Sequence, residues 1–259
     1  MSVRAIAYNR HLHILDALKE QGSVRVEDLS QDLGVSDVTI RRDLDYLNEK
    51  GLLLRTHGGA NATPARKDFL QESGFAEKGT INVAEKQRIG EKCAELVRAH
   101  EIVFLNSGST ALFFLRAVHQ QQVKVITNNA AAIQCTVDPA VEVMYLGGEY
   151  REQSRSFVGE FALNTIRDIY SHYTVLGTNG ISIDRGITTT VYQECAINQA
   201  MIENTQGKVI VIADHTKLGR ISNFVSAPLN AIDILITDTQ CPAEFRSELE
   251  SRGITVILA

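Results

Sequence analysis

The sequence predicts two folding units in series: a small, mainly helical module at the front and a larger α/β domain on a mostly parallel sheet behind it. Within residues 1–60, short helical runs alternate with glycine stops in a tight order. From residue 80 onward, short Val/Ile-rich runs recur, each closed by a small polar cluster and several separated by helix-length segments. Between the two lies a polar stretch, 61–79, with one proline and poor periodicity, which reads as a linker. The expected boundaries are therefore 1–60, 61–79 and 80–259.

In the front module, YNRHLHILDALKE (8–20) places Leu12, Ile14, Leu15 and Leu18 at near-helical spacing, and Gly22 ends the run. SVRV (23–26) alternates as a short strand. VEDLSQDLGV (26–35) reads as a short helix with Leu29 and Leu33 on one face, stopped by Gly34. Ser36 suits the N-cap of a helix from Asp37 to Lys50, which Gly51 terminates. LLLRTHGGA (52–60) reads as a strand ending in a glycine turn.

The helix from Asp37 carries two adjacent arginines, and geometry separates them. With Ile40 set toward the core and ~100° per residue, Leu44 and Leu47 fall within about 40° of it. Arg42 lands about 200° round, with Val38 beside it. Thr39 and Arg41 take opposite flanks. The alternative is a plain solvated helix face, since Arg next to Asp, as in Arg42–Asp43–Leu44–Asp45, is common on any surface. A short helix, a GVS turn and a second helix with a polar outward N-terminal half is the helix-turn-helix plan. Its second helix enters the DNA major groove, N-terminal residues first. There arginine pairs with guanine or grips phosphate, and a Val or Thr methyl meets thymine. Ser36, Val38, Thr39, Arg41 and Arg42 are the expected DNA-facing residues. Arg55 and His57 in RTHGG either reach DNA from a wing or simply close a hairpin.

Behind the linker, helical AEKQRIGEKCAELVRAH leads into IVFLNSGST, VKVITNN, VEVMYLGGEY, YTVLGTNG, KVIVIADHTK and DILITD. In parallel α/β sheets ligands bind beyond the carboxyl ends of the strands, so these polar clusters should share one rim. SGST (107–110) sits between a strand and the helix ALFFLRAV. The hydroxyls of Ser107, Ser109 and Thr110, with Gly108 and the backbone N–H groups of a helix start, suit a phosphate or merely cap the helix. Further rim candidates are Asn128, Asn129, Arg151, Asn179, Gly180, Thr188, Glu194, Asp214 and Lys217. Amides and carboxylates hydrogen-bond sugar hydroxyls, whereas Lys and Arg hold phosphate. Gly147 and Gly148 read as a tight turn. Asp214 and Lys217 are equally a local ion pair.

Composition narrows the classes. At 259 residues, 44% hydrophobic and 22% charged, the chain is ordinary globular material. No apolar run approaches the ~20 residues of a membrane helix, and no signal-peptide h-region opens the chain. Four well-separated cysteines without a CxxC pair point to reduced thiols in a cytoplasm, with no metal site expected. Net charge is −5, and residues 1–60 hold 8 Lys/Arg against 9 Asp/Glu, so DNA binding must rest on local placement of charge. No GxGxxG follows a strand, which disfavours a dinucleotide cofactor, and none is expected.

The block HILDALKEQGSVRVEDLSQDLGVSDVTIRRDLDYLNEKGLLLRTHGGA resembles the DNA-binding domain of the DeoR family of bacterial repressors. LGVS, TIRRDL, GLL and R-x-HGGA stand at matching spacings. NSGST, TNN, LGG, GITT and ADHTKLG resemble that family's C-terminal half, so the likeness spans nearly the whole chain. It implies a winged helix-turn-helix followed by a domain with a fold like ribose-5-phosphate isomerase and glucosamine-6-phosphate deaminase, used as a sugar-phosphate sensor. Two positions depart from the pattern: Asn106 and Asn198 stand where the family commonly has Asp and Lys. The loss of one charge of each sign leaves effector identity open. The expected function is a repressor of a carbohydrate operon that leaves its operator when a phosphorylated sugar binds, acting as a homodimer or homotetramer. The alternative is a sugar-phosphate isomerase or deaminase with Glu194 or Asp214 as base and Lys217 as electrostatic partner. A third reading makes the larger domain a mere oligomerisation module.

Overall fold

The computed structural model describes the chain except residues 1–9, 12, 16, 19, 20, 50–52 and 62–73. The chain divides into two compact units, 1–71 and 72–259.

In the first unit a helical segment from Arg10, β1 (Ser23–Arg25), α1 (Val26–Leu33) and α2 (Asp37–Glu49) lead to a hairpin of β2 (Leu54–Thr56) and β3 (Gly59–Asn61). Gly34 ends α1 in the left-handed region at φ +62°, and the N–H of Val35 returns to the Ser30 carbonyl at 3.2 Å, giving the tight turn into α2. The Ser36 hydroxyl accepts the Thr39 N–H at 3.4 Å, as its N-cap position predicts. Leu12, Lys50 and Gly51, used above to place the helices, lie outside the described residues. The expected single strand over 52–60 is instead a two-stranded wing turning at His57–Gly58. β1 joins it as a third strand in the order β1–β3–β2. At Gly59 a Cβ would lie 1.9 Å from the Val24 carbonyl oxygen, so glycine alone permits this approach. Ile14, Leu18, Val24, Leu29, Ile40, Leu44, Leu47 and Leu53 form one buried core, the product of the helical spacings read above.

The predicted linker is only partly so. Asn61 closes β3, residues 62–73 lie outside the described residues, and Phe75–Thr80 forms a helix, α3. Phe75 packs on the second unit's core and its N–H donates to the Gln153 carbonyl at 3.0 Å.

The second unit continues with α4 (Val83–Ala94), β4 (Ile102–Leu105), α5 (Ser109–Ala117), β5 (Val123–Thr127) and β6 (Val141–Tyr145). There follow the hairpin β7 (Glu149–Arg151) and β8 (Ser156–Val158), α6 (Glu160–Arg167), β9 (Ser171–Gly177), β10 (Gly180–Ser182) and β11 (Gly186–Thr189). The chain ends through α7 (Tyr192–Glu203), β12 (Thr205–Ile212), β13 (Phe224–Ala227), β14 (Ile234–Thr237), α8 (Ala243–Ser251) and β15 (Thr255–Leu258). Seven strands form one wholly parallel sheet in the order β15–β14–β12–β9–β4–β5–β6. Its two faces are separate cores. Val209 and Val211 of β12 face α6 and α7, whereas Ile210 and Ile212 face α4 and α5. Strand order reverses between β4 and β9, the switch point at which such sheets open a crevice at their carboxyl ends. The antiparallel sheet β10–β11–β13, the β7–β8 hairpin and the edge strand β15 were not expected from the sequence.

Candidate functional site

On α2, Ile40, Leu44 and Leu47 are fully buried, while Arg41, Arg42 and Ser36 are exposed and Thr39 is half-buried. Val38, an apolar side chain, is 59% exposed beside them. This is the face the helical geometry predicts, with one exception. Asp43 is buried, not solvated: Arg10 grips it through Nε and Nη2, and His11 Nε2 lies 2.9 Å from Oδ1. The side-chain hydrogen bond from Asp43 raises the Arg10 guanidinium above its ordinary range against the opposing effect of burial. His11 also stacks on Tyr46 with ring centroids 5.1 Å apart. The segment ahead of β1 is thus bolted to the underside of α2.

Arg55 is not presented outward as a wing contact. Its Nε donates to Asp45 at 2.8 Å, and its Nη1 donates to the carbonyls of Thr56 and Gly59. Its N–H also reaches Asn48 Oδ1 at 3.1 Å, so Arg55 fastens the wing to α2. His57, exposed at the turn, remains the wing's outward side chain.

In the second unit the rim residues gather where β4, β5 and β9 end. Gly108, at φ +145°, turns the chain from β4 so that Ser109 opens α5. Asn129 donates to the Gly108 carbonyl at 3.1 Å and accepts the Ala131 N–H, which fixes the loop from the β5 side. Glu194, in the first turn of α7, accepts from Ser107, Ser156 and Thr189, each at 3.2 Å. Thr189 continues to Asn179 at 3.0 Å. Arg151 joins through Ser154, which lies 2.8 Å from Ser156. Ser107, Arg151, Asn179 and Glu194 therefore share one hydrogen-bonded network, and Gly108 with Asn129 forms the loop beside it.

A second cluster adjoins the start of α5, where Ser109 and Thr110 are buried and Ser107 and Gly108 ahead of them are half-exposed. Asp214, just past β12, accepts from Asn82 at 3.1 Å and from the Thr216 hydroxyl and N–H. Burial pushes its carboxyl up, but Thr216, Lys217 and Asn82 outweigh that and hold it below the ordinary range. Lys217 is depressed, first by burial, with Asp214 opposing and Arg220 and Lys78 reinforcing. Lys86, only 3% exposed, is likewise depressed by burial, with Asp214 opposing and Lys217 and Lys78 adding to it. Its ammonium donates to the carbonyls of Lys78 and Ile81. Lys86 and Lys217 thus both feel the Asp214 carboxylate beside the start of α5.

Three expected site residues make contacts within the protein scaffold, and of these the buried Asn128 Oδ1 has no hydrogen-bond partner among the described residues. Thr188, fully buried, donates to the Gly180 carbonyl at 3.2 Å and accepts the Ser222 N–H at 2.8 Å inside the antiparallel sheet. A Cβ on Gly180 would meet the Arg220 carbonyl at 2.4 Å, so this glycine serves packing. Asn128 pins β8, donating to the Phe157 carbonyl at 3.0 Å. Gly147 and Gly148 form the expected turn at φ +64° and +111°.

The two departures from the family pattern meet each other. Asn106 Nδ2 donates to Asn198 Oδ1 at 3.0 Å and to the Gly177 carbonyl at 2.9 Å, and its Oδ1 accepts the Gly177 N–H at 2.8 Å. Asn198 Nδ2 passes on to Ser226 at 3.1 Å. Both amides are buried, so the missing charges are opposite and adjacent, and their loss leaves the net charge of the site unchanged.

Lys86, Asn82, Ser156 and Thr189 escaped sequence reasoning. Lys86 alone carried a signal: it lies in phase with buried Ile89 and Cys93 on α4. The four cysteines are free, and among the described residues no helix is long and apolar enough to cross a membrane.

Comparison with known proteins bears on both units. The lactose phosphotransferase system repressor of Lactococcus lactis subsp. lactis is 31% identical over 250 residues, covering 95% of this chain and 96% of that protein. The glycerol-3-phosphate regulon repressor of Escherichia coli K12 is 30% identical over 251 residues, covering 96% and 98%. Among solved structures, ribose 5-phosphate isomerase A of Methanocaldococcus jannaschii aligns at 14% identity and TM-score 0.37, over 53% of this chain and 55% of the enzyme. Residues 10–66 match the DeoR-like helix-turn-helix domain and residues 81–239 the DeoR C-terminal sensor domain, and the chain therefore belongs to the DeoR family.

Proposed function

We propose that this chain is a cytoplasmic DNA-binding repressor of a carbohydrate-metabolism operon that a phosphorylated sugar releases from its operator. The observation that supports the effector's chemistry is the start of α5, where Ser109 donates to the Lys78 carbonyl that Lys86 also holds, with Lys217 and Asp214 in electrostatic reach of Lys86 and Ser107 donating to Glu194. A helix N-terminus with lysines beside it suits a phosphate, and the neighbouring Glu194 shell suits sugar hydroxyls. Lys217 is half-buried, and its ammonium makes no hydrogen bond or ion pair among the described residues. On the DNA side, Ser36, Val38, Thr39, Arg41 and Arg42 would enter the major groove, with His57 on the wing. A two-fold operator calls for a homodimer or a homotetramer.

Release follows from linkage. An effector weakens operator binding only by its difference in affinity for the two states, and a hundredfold release needs about 2.7 kcal/mol of that difference. An enzymatic role fits less well. Asp214, whose Oδ1 accepts from Asn82 and Thr216 and whose carboxyl is held below its ordinary range, is mistuned for proton abstraction near neutrality.

A mobility-shift titration with ribose 5-phosphate, glucose 6-phosphate and glycerol 3-phosphate tests the reading. One of them should release the operator, and Lys217→Met should keep operator affinity while losing the release. Turnover of a sugar phosphate, or loss of DNA binding in the Lys217 variant, would count against it.

A further inference from the structure

Residues 74–82 are tied across the same cup, and the ties compete with a ligand. The strap begins at Gly74, runs through α3 and ends at Asn82, which holds a left-handed φ of +51°. It is fastened at three places. Phe75 N–H donates to the Gln153 carbonyl at 3.0 Å. The Lys78 carbonyl accepts both the Lys86 ammonium and the Ser109 hydroxyl, the latter at 3.3 Å, and Lys86 also reaches the Ile81 carbonyl at 2.6 Å. Asn82 Nδ2 donates to Asp214 at 3.1 Å.

Two of these fastenings use groups of the cup, Ser109 and Asp214. A serine hydroxyl has one proton to donate. If Ser109 gives it to a phosphate at the start of α5, the Lys78 carbonyl loses it. The same anion attracts the buried Lys86 ammonium, two of whose three N–H groups hold the Lys78 and Ile81 carbonyls. Loading the cup therefore withdraws the Ser109 donor from the strap and pulls Lys86 toward the anion. The strap is also the first described stretch after residues 62–73, through which the chain continues from β3 of the DNA-binding unit. Moving it moves the anchor of that tether.

We infer that residues 74–82 are the sensor's output strap, held down by Ser109, Lys86 and Asp214 when the cup is empty and loosened when an anion takes the Ser109 donor and pulls on Lys86. The inference rests on the phosphate reading of the cup.

Hydrogen–deuterium exchange on the full-length protein separates the two ideas. The probes are inorganic phosphate, ribose 5-phosphate, glucose 6-phosphate and glycerol 3-phosphate. A probe that slows exchange at 107–111 should speed it several-fold at 78–82. Protection at 107–111 with unchanged or slowed exchange at 78–82 overturns the strap and leaves the phosphate reading standing. If no probe protects 107–111, the phosphate reading fails and the strap is judged without ligand. Asn82→Asp keeps a residue tolerant of the left-handed region but sets a carboxylate against Asp214. It should raise exchange at 78–82 several-fold and weaken operator binding at least fivefold while the sensor still melts cooperatively. Unchanged exchange and operator affinity refute the strap. Asn82→Gly, which removes only the donor, replaces that variant if the carboxylate pair unfolds the domain.

Discussion

Asp43→Asn should destabilise the DNA-binding unit without removing any group that faces DNA. The native carboxylate is buried on the inner side of α2 and satisfies two N–H groups of Arg10 and the His11 ring. The amide keeps the shape but loses the charge, and one of its two arms becomes a donor aimed at donors. Arg10 is itself only 13% exposed in its side chain, so its charge is left largely uncompensated. Breaking a buried ion pair from one side costs about 3–5 kcal/mol, and the isosteric amide should fall near the lower end. A unit of this size holds roughly 4–10 kcal/mol in total at 0.05–0.15 kcal/mol per residue. At ~4–8 °C per kcal/mol, its melting should drop by at least about 10 °C. Differential scanning calorimetry of the full chain, with operator titration below the new transition, measures both quantities. A variant that melts with the wild type would mean that Arg10 finds water, and that the bolt between the leading segment and α2 has no energetic weight.

Arg42→Ala should behave in the opposite way, leaving melting unchanged and weakening operator binding by about 1–3 kcal/mol if the guanidinium reads a base. An equal loss on unrelated DNA would reassign it to phosphate. Asn106→Asp alone should destabilise the sensor, because a carboxylate would face the Gly177 carbonyl and Asn198 Oδ1. Asn106→Asp with Asn198→Lys should recover most of that loss, and a double variant no better than the sum of the singles would show that the two positions are independent. Asp214 sets an acid limit. Its folded carboxyl lies below the ordinary 3.8, so its contribution is complete above that value and is lost as pH falls through the depressed one. Sensor melting should decline on that acid side, and Asp214→Asn should flatten the decline.

The elements legible in the sequence were those with a strong period. Ile40, Leu44 and Leu47 repeat at helical spacing, and the outward setting of Val38 and Arg42 follows from the same angle. The rim was legible as well, because each strand of a parallel sheet ends on the same side. Asp43 was not, since a carboxylate inside a charged run looks solvated and its partner Arg10 is supplied from an earlier segment. Gly180 and Thr188 pack within the antiparallel sheet β10–β11–β13, which the sequence did not announce because small polar residues after an apolar run build antiparallel turns as readily as ligand sites. Strands of three residues, such as β7, β8 and β10, are too short to show alternation. Arg55 was left between a wing contact and hairpin closure because nothing local announces that Asp45, on α2, will hold it.

The central pairing of β4 with β9 has a consequence for the chain as it is made. β4 gains its second neighbour only after β5 through β8 have been synthesised. The front unit, whose core ends at Ala60, needs nothing from that region. A product cut short before Ser171 would carry a finished DNA-binding unit attached to a half-sheet with Val103, Phe104 and Leu105 on a bare edge. Such fragments should self-associate into insoluble material instead of persisting as gene switches that no metabolite can reset.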